Sequence, residues 1–399
     1  MRFITIAAVA FATMPLPGCE VAAREPASAP ATRSAIAFNL LDRLDREQAQ
    51  AVAAELPGEI AVQNGVRLYR LQYKTRLNGK LIAASALLAL PDGGEPMKGL
   101  VLYLKGSDIP RTAAPTMSGA VWQTEPAVYA GNGYAVLVPD YIGFGAAPSP
   151  QAFLLIEENL TDFRSALKAA RKAIGFDGTQ NLFLHGFSQG AQLTAALHRD
   201  LEAQPLEGYR LQTSVAASGP HELAASFARR LDGPLKSDPI AKGYLAWAAF
   251  TFAWANGVEL DTVFTKDFAQ RAPIWFGGDL GPMEIFPQLP ENGEELFQPE
   301  FLRQARTNLD FWFNRQLKAS ETWNWAPKRP LHLVIGSADT NVDPESTRAL
   351  FDRAQALGGA ISATELPNLD HRQTGDTSYA IALARFEAIS GQARKFKVR

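Results

Sequence analysis

The chain of 399 residues is 47% hydrophobic, 10% aromatic and 20% charged, which suits a packed core and excludes a mainly disordered, collagen-like or coiled-coil chain. Its formal net charge is -2, from 39 basic and 41 acidic side chains, so nothing pulls it as a whole toward nucleic acid and no such partner is expected. One cysteine excludes an internal disulfide and a cysteine-rich metal site.

The amino terminus begins Met1-Arg2-Phe3, turns apolar over residues 4–13 and reaches Leu16-Pro17-Gly18-Cys19. A basic start, a short apolar run and small residues at a processing point predict a signal peptide over 1–18. The run is too short for a bilayer core, which takes about 20 apolar residues to cross. Leu-x-Gly-Cys at this place resembles a bacterial lipobox, in which Cys19 would carry the lipid. The alternative is an ordinary secretory signal in which that cysteine is incidental. Residues 19–35, rich in Ala, Pro, Ser and Arg, read as a flexible tether. The expectation is an exported protein whose folded body stays in water while its lipid holds it to a membrane surface.

Residues 37–55 show helical spacing with mixed charge. Strand-like runs follow at 66–75, 81–90, 100–105, 135–139, 182–184, 213–217, 331–335 and 362–366. The first two are separated by Arg76-Leu77-Asn78-Gly79-Lys80, whose Asn-Gly is a hairpin signal. The later runs are short, continuously apolar and alternate with helical stretches, as in a parallel sheet buried on both faces. The expected fold class is therefore α/β, with a mostly parallel sheet of about eight strands flanked by helices. The core is assigned to 36–219 and 330–399.

Residues 220–329 interrupt that rhythm and hold Trp247, Trp254, Trp275, Trp312, Trp323 and Trp325, all the tryptophans but Trp122. The stretch 244–254 is apolar almost all round, so as a helix it must be covered by protein or by an apolar ligand. This segment reads as a helical cap in which most aromatics fill the cap's own core and a few line an acyl pocket.

Gly186-Phe187-Ser188-Gln189-Gly190 lies between a strand and a good helix. That is the context of a nucleophile elbow, where the glycines spare the tight turn from side-chain collisions and Ser188 is held strained with its hydroxyl presented. A serine needs a base, and the base needs an orienting acid. In chain order Ser, acid, His, Asp339 ends one strand-like run and His371 follows the next. Asp343 is a rival acid on the same loop, and Asp370 is read as surface. Among the other histidines, His185, His198 and His332 read as structural, and His221 is the serious competitor as base. The oxyanion donors are expected to be the backbone N–H of Gln189, at the start of a helix, and that of Ser107, after a glycine that permits close approach.

Together these residues resemble the α/β-hydrolase superfamily and, within it, the secretory lipase family and its bacterial relatives. The similarity spans about 66–371 and includes Asn78-Gly79, Ala83-Ala84-Ser85, Ala89-Leu90-Pro91, Gly133-Tyr134-Ala135-Val136, Pro139-Asp140-Tyr141 with Gly143 and Gly145, and Gly336-Ser337-Ala338-Asp339. It implies the α/β-hydrolase fold with a helical cap, Ser188 as nucleophile, Asp339 as acid and His371 as base. Where relatives often carry His-Gly-Thr, this chain has Lys105-Gly106-Ser107, and Asp140 and Tyr141 take a supporting role. The expected activity is hydrolysis of carboxylic esters of small molecules or lipids, chemistry that needs no metal or organic cofactor. A peptidase, an amidase or an acyltransferase on the same residues is the alternative, because specificity lies in cap and pocket. A third, less favoured reading is a silent, lipid-anchored binding protein. Replacing Cys19 with alanine should abolish incorporation of labelled palmitate in cells; label that persists defeats the lipid anchor.

Overall fold

The computed structural model describes residues 37–117, 122–145, 149–232 and 239–391. The signal peptide, the tether and Cys19 lie outside the described residues. Nine strands form one sheet: β1 (Ala37–Leu44), β2 (Gly65–Leu77), β3 (Lys80–Asp92), β4 (Leu100–Leu104), β5 (Ala135–Pro139), β6 (Gln180–Phe187), β7 (Tyr209–Ala217), β8 (Leu331–Gly336) and β9 (Ile361–Leu366). Their spatial order is β1-β2-β3-β5-β4-β6-β7-β8-β9. The pairings from β5 onward along that order are parallel, and those of β1, β2 and β3 are antiparallel.

The ninth strand is β1, where helical spacing leads one to expect a helix. Residues 37–44 instead pair with β2 along an edge, with a register shift between Leu40 and Asp42. That irregularity breaks the two-residue alternation and leaves Leu40 and Leu41 exposed, so the apolar positions imitate a helical period. The helix itself, α1 (Arg46–Ala53), begins after Asp45, which closes a capping box with Gln48. The Asn78-Gly79 hairpin joins β2 to β3 as expected, both residues having positive φ.

Alternation along the central strands divides the core between two helical layers. Leu100, Leu102 and Leu104 of β4 and Leu182 and Leu184 of β6 pack with α3 (Ile156–Ile174) and α4 (Gln189–Ala203). Val101, Tyr103 and Phe183 face the other way, toward α1, α2 (Thr124–Tyr129) and α12 (His371–Ser390). All five residues of β4 and all five of β5 are buried, which is why these runs are apolar without interruption. α11 (Pro344–Ala356) meets α4 and β8 in a smaller cluster.

Between β7 and β8 the chain supplies α5 (Leu223–Asp232), α6 (Pro239–Asn256), α7 (Lys266–Trp275), α8 (Pro282–Ile285), α9 (Pro299–Thr307) and α10 (Trp312–Ala319). α6, apolar almost all round over 244–254, is the centre of this segment: Leu245, Trp247, Phe252 and Ala253 are at most 1% exposed. Around it Phe264, Phe276, Phe297, Phe301 and Phe313 pack into one cluster that also takes in Ile109, Ile142 and Phe153 from outside the segment. Among the described residues no helix is long and apolar enough to cross a membrane; the apolar faces of α6 are spent on packing. Trp247 is the inner anchor of this core. Trimming it to alanine should cost about 3–5 kcal/mol, read from urea unfolding, and an unfolding free energy within about 1 kcal/mol of wild type contradicts that assignment.

Candidate active site

At the end of β6 the backbone reverses sharply into α4. Ser188 sits at the reversal with φ 57° and ψ -123°, a region that side-chain-bearing residues occupy only when their surroundings impose it. The surroundings here are two close approaches. A Cβ on Gly186 would overlap the carbonyl of Gly190 and the hydroxyl of Thr194, and one on Gly190 would overlap the carbonyl oxygen of Leu104. The amide of Ser188 donates to Ala217 O at 2.9 Å, tying the turn to β7.

Asp339 and His371 arrive from β8 and β9 by loops that are bonded to each other. Ser337 N donates to Leu366 O (3.1 Å), Ala338 N to Leu369 O (3.1 Å), and Asn368 N to Ser337 Oγ (2.8 Å). Asp370 caps α12 through a capping box with Gln373, which makes His371 the first residue of that helix. His371 Nε2 lies 3.0 Å from Ser188 Oγ, and its Nδ1 lies 2.7 Å from Asp339 Oδ2. The other carboxylate oxygen accepts from Asn341 N (3.0 Å) and Val342 N (2.9 Å), which fixes the carboxylate plane. A carboxylate only accepts, so Nδ1 carries the ring proton and Nε2 turns its lone pair to the serine hydroxyl. The ring also packs on Phe187, with centroids 4.6 Å apart.

The rivals are placed elsewhere. Asp343 accepts from Glu345 N at the start of α11 (3.0 Å) and from Arg229 (2.8 Å). His185 bridges Tyr129 OH (2.6 Å) and Ser378 Oγ (2.9 Å), and burial lowers its pKa to about 3. His221 bonds Thr322 Oγ1 at 2.8 Å, and burial likewise takes it down to about 3, so it is a neutral core group. His198 bonds Ser214 and Glu202, and His332 bonds Ser362 and Thr364.

Gly106 passes close enough to the elbow that a Cβ on it would touch Ser188 Cβ at 3.5 Å. Ser107 and Gln189 then line the same pocket as Ser188 and His371. The hydroxyl of Ser107 reaches Tyr244 OH of α6 at 3.5 Å. Arg111, further along the same loop, binds three segments at once, donating to Gly277 O beyond α7 (3.0 Å), Gly143 O beyond β5 (2.8 Å) and Ser149 O (2.9 Å). Asp140 holds the loop's far end, accepting from Thr116 N (2.9 Å) and Thr116 Oγ1 (2.5 Å), and it also accepts from Ser85. Burial pushes the Asp140 carboxyl up, opposed by these hydrogen bonds and by the charge of Lys105. Tyr141, at φ 74°, donates to Lys105 O at 3.0 Å.

Lys105 itself is 1% exposed. Its Nζ stands 3.7 Å from the centre of the Phe144 ring, 5.1 Å from that of Tyr141 and 5.9 Å from that of Trp122. Among the described residues Nζ has no hydrogen-bond acceptor within reach. The ring faces attract the cation but do not replace its hydration. Burial lowers its pKa to about 8, against the pull of Asp108 and Asp140.

Sequence reasoning did not single out the pocket walls Phe153, Leu154, Leu223, Phe227 and Tyr244. The signal available for the first two was the apolar run Ala152-Phe153-Leu154-Leu155-Ile156 standing outside any strand. Cap tryptophans do not line the pocket; Trp247 backs it from behind, stacked on Phe153 with centroids 3.9 Å apart. Among the described residues no group of three or more His, Cys, Asp or Glu is placed to hold a metal ion.

The profile of the alpha/beta hydrolase family matches residues 113–377. No curated protein matches the sequence. Among solved structures, a candidate hydrolase from Legionella pneumophila is 21% identical with a TM-score of 0.81, over 90% of this chain and 99% of that one. The rice cell wall degrading esterase LipA of Xanthomonas oryzae is 21% identical with a TM-score of 0.77, over 91% and 98%. Lipase A of Candida antarctica is 16% identical with a TM-score of 0.64, over 84% and 77%.

The buried cation makes a testable demand on stability. Its folded pKa of about 8 lies below the 10.5 of an ordinary lysine, so below pH 8 the folded state bears the cost of a charge that the unfolded chain hydrates freely. Lys105→Met should therefore raise unfolding free energy at pH 7 by up to about 3 kcal/mol. The advantage should fade between about pH 8 and 10.5, where the wild type gains stability as the folded lysine sheds its proton. Urea titrations across that range check the sign, and equal or lower stability of the methionine variant at pH 7 overturns it.

Proposed function

The chain belongs to the alpha/beta hydrolase family, and we propose that it is a serine hydrolase cleaving carboxylic esters through an acyl-enzyme. The observation that carries this reading is one imidazole, that of His371, bonded on one side to Asp339 and on the other to Ser188. His371 Nε2 takes the hydroxyl proton as Ser188 Oγ attacks the ester carbonyl carbon, and Asp339 stabilises the imidazolium that results. The oxygen of the tetrahedral intermediate is received by the N–H groups of Gln189 and Ser107. Preorganised donors of this kind are worth about 3 kcal/mol each. His371 returns its proton to the departing alcohol, takes another from water as the water oxygen attacks the acyl carbon, and passes that proton to Ser188 Oγ as the bond to the acyl carbon breaks and the acid leaves.

The esterase and lipase among the structural neighbours favour an ester over an amide as the bond broken. The apolar walls around Ser188 favour an apolar acyl group. Export and attachment through Cys19 belong to the same proposal and rest on the amino-terminal sequence alone.

A fluorophosphonate probe should label the wild type and leave Ser188→Ala unlabelled. Turnover of p-nitrophenyl butyrate should fall by about 10⁴-fold or more in Ser188→Ala, in His371→Ala and in Asp339→Asn. Asp343→Asn, which keeps an oxygen to cap α11 and loses only the exposed ion pair with Arg229, should stay within about tenfold of wild type. Wild-type turnover in either the Ser188 or the His371 variant would falsify the assignment, and the opposite pattern at the two aspartates would transfer the acid role to Asp343.

A further inference from the structure

Beyond His371, α12 runs back along β6, the strand that leads into the nucleophile. Among the described residues two side-chain bonds join β6 and its turn to this helix. One is that of His371 to Ser188, and the other is His185 Nε2 on Ser378 Oγ, at 2.9 Å. Three residues of chain at about 3.3 Å each separate His185 from Ser188, and seven residues of helix at about 1.5 Å each separate His371 from Ser378. Both paths come to about 10 Å, so the two bonds are rungs of one ladder. Between them a Cβ on Gly375 would come within 2.8 Å of the Phe187 ring, and Phe187 in turn packs on the ring of His371. Residues 371, 375 and 378 thus form one stripe of the helix, at i, i+4 and i+7, laid against 185, 187 and 188.

The hydrogens of the second rung can be assigned. Ser378 Oγ gives its one proton to Gly375 O, at 2.6 Å, so toward His185 it only accepts. His185 Nε2 therefore carries the ring hydrogen, and Nδ1 accepts from the hydroxyl of Tyr129, at 2.6 Å. Each donor from Tyr129 through His185 and Ser378 to Gly375 has its acceptor while the ring is neutral, and burial keeps it neutral. The rings of Tyr103 and Tyr379 stand edge-on to the imidazole, with centroids 5.1 and 5.2 Å away, and hold its plane. Packing among aromatics calls only for a ring, which phenylalanine would supply. The imidazole adds two directed bonds, and one of them grips α12.

We propose that His185 is a positioning residue: through Ser378 it sets the register of α12 on β6 and so holds His371 in line with Ser188. The proposal rests on the hydrolase reading above. The helix has other anchors, but they tie it to other elements: Tyr379 to Tyr103 of β4 and Glu125 of α2, and Ser390, at the far end, to Tyr134. A helix advances about 1.5 Å per residue, and a misplacement of about 1 Å at a reacting group can cost about 100-fold in rate. A slide of less than one residue is therefore enough to cripple the base.

The experiment measures kcat and KM of the full chain on p-nitrophenyl butyrate, with active sites counted by fluorophosphonate labelling run to completion, so that loss of folded protein is separated from loss of rate. Ser378→Ala, checked by thermal melting, should lower kcat per labelled site by about tenfold or more and leave KM within about threefold. His185→Leu should do the same, and the double variant should be no worse than the more affected single one, because both changes break one bond. Tyr134→Phe, which frees only the far end of α12, should lower the melting temperature while kcat per site stays within about twofold of wild type. If Ser378→Ala does not fold, Tyr129→Phe, which takes the donor from Nδ1, replaces it with an expected loss of at least about threefold. A kcat per site within about twofold of wild type in folded Ser378→Ala, or an equal loss in Tyr134→Phe, overturns the positioning role and leaves the hydrolase standing. Absence of labelling in folded wild-type protein removes the hydrolase reading itself.

Discussion

The contact between Gly190 and the carbonyl oxygens that end β4 is the constraint on which the site depends. There is no room at Gly190 for a single carbon beyond the backbone, so α4 starts as near to β4 as two chains can pack. That closeness fixes how far Ser188, at the head of α4, stands from Gly106 and Ser107, at the end of β4. A donor meant for an oxygen that exists only in the transition state must be set before the reaction begins, and main-chain contact sets it more rigidly than side chains do. The strained angles of Ser188 follow from the same approach, since the turn has no other way to enter the helix.

Much of this was legible in the sequence because the physics is local. The glycines of the elbow, the Asn78-Gly79 hairpin and the apolar runs of β4 and β5 carry their reasons within a few residues. Asp339 and His371 were legible from order along the chain, because strands that alternate with helices deliver their exits to one sheet edge. The pairing of Asp339 with His371 rather than Asp343 was not, since it depends on Arg229 and on the helix that Asp343 caps. Residues 37–44 misled for a different reason: an irregular edge strand with one face in water has no clean period. Phe153 and Leu154 escaped notice because walls are made by tertiary packing, and a loop has no periodicity to mark a side that faces a ligand.

Lys105 illustrates the cost of a site that is not optimised for stability. A cation enclosed by Phe144, Tyr141 and Trp122 that has, among the described residues, no acceptor for its protons breaks the rule that buried charges are paired and hydrogen-bonded. Its own carbonyl, however, is one of the atoms that crowd Gly190, and Tyr141 holds that carbonyl. The side chain that burdens the fold thus belongs to the residue whose backbone shapes the turn. Asp140, with its carboxylate on Thr116, anchors the other end of the same loop, so the loop is held at both ends by buried polar groups.

Arg111 has the widest reach of the loop's side chains. Its guanidinium is shared by the turn after β5, the segment at Ser149 and the end of α7, pieces of chain far apart in sequence. No one of them can separate from the others without stranding donors that the rest cannot satisfy. Local openings of these three stretches are therefore coupled into one cooperative unit, and their amides exchange with solvent as a group, at one free energy. The three stretches loosen together or not at all.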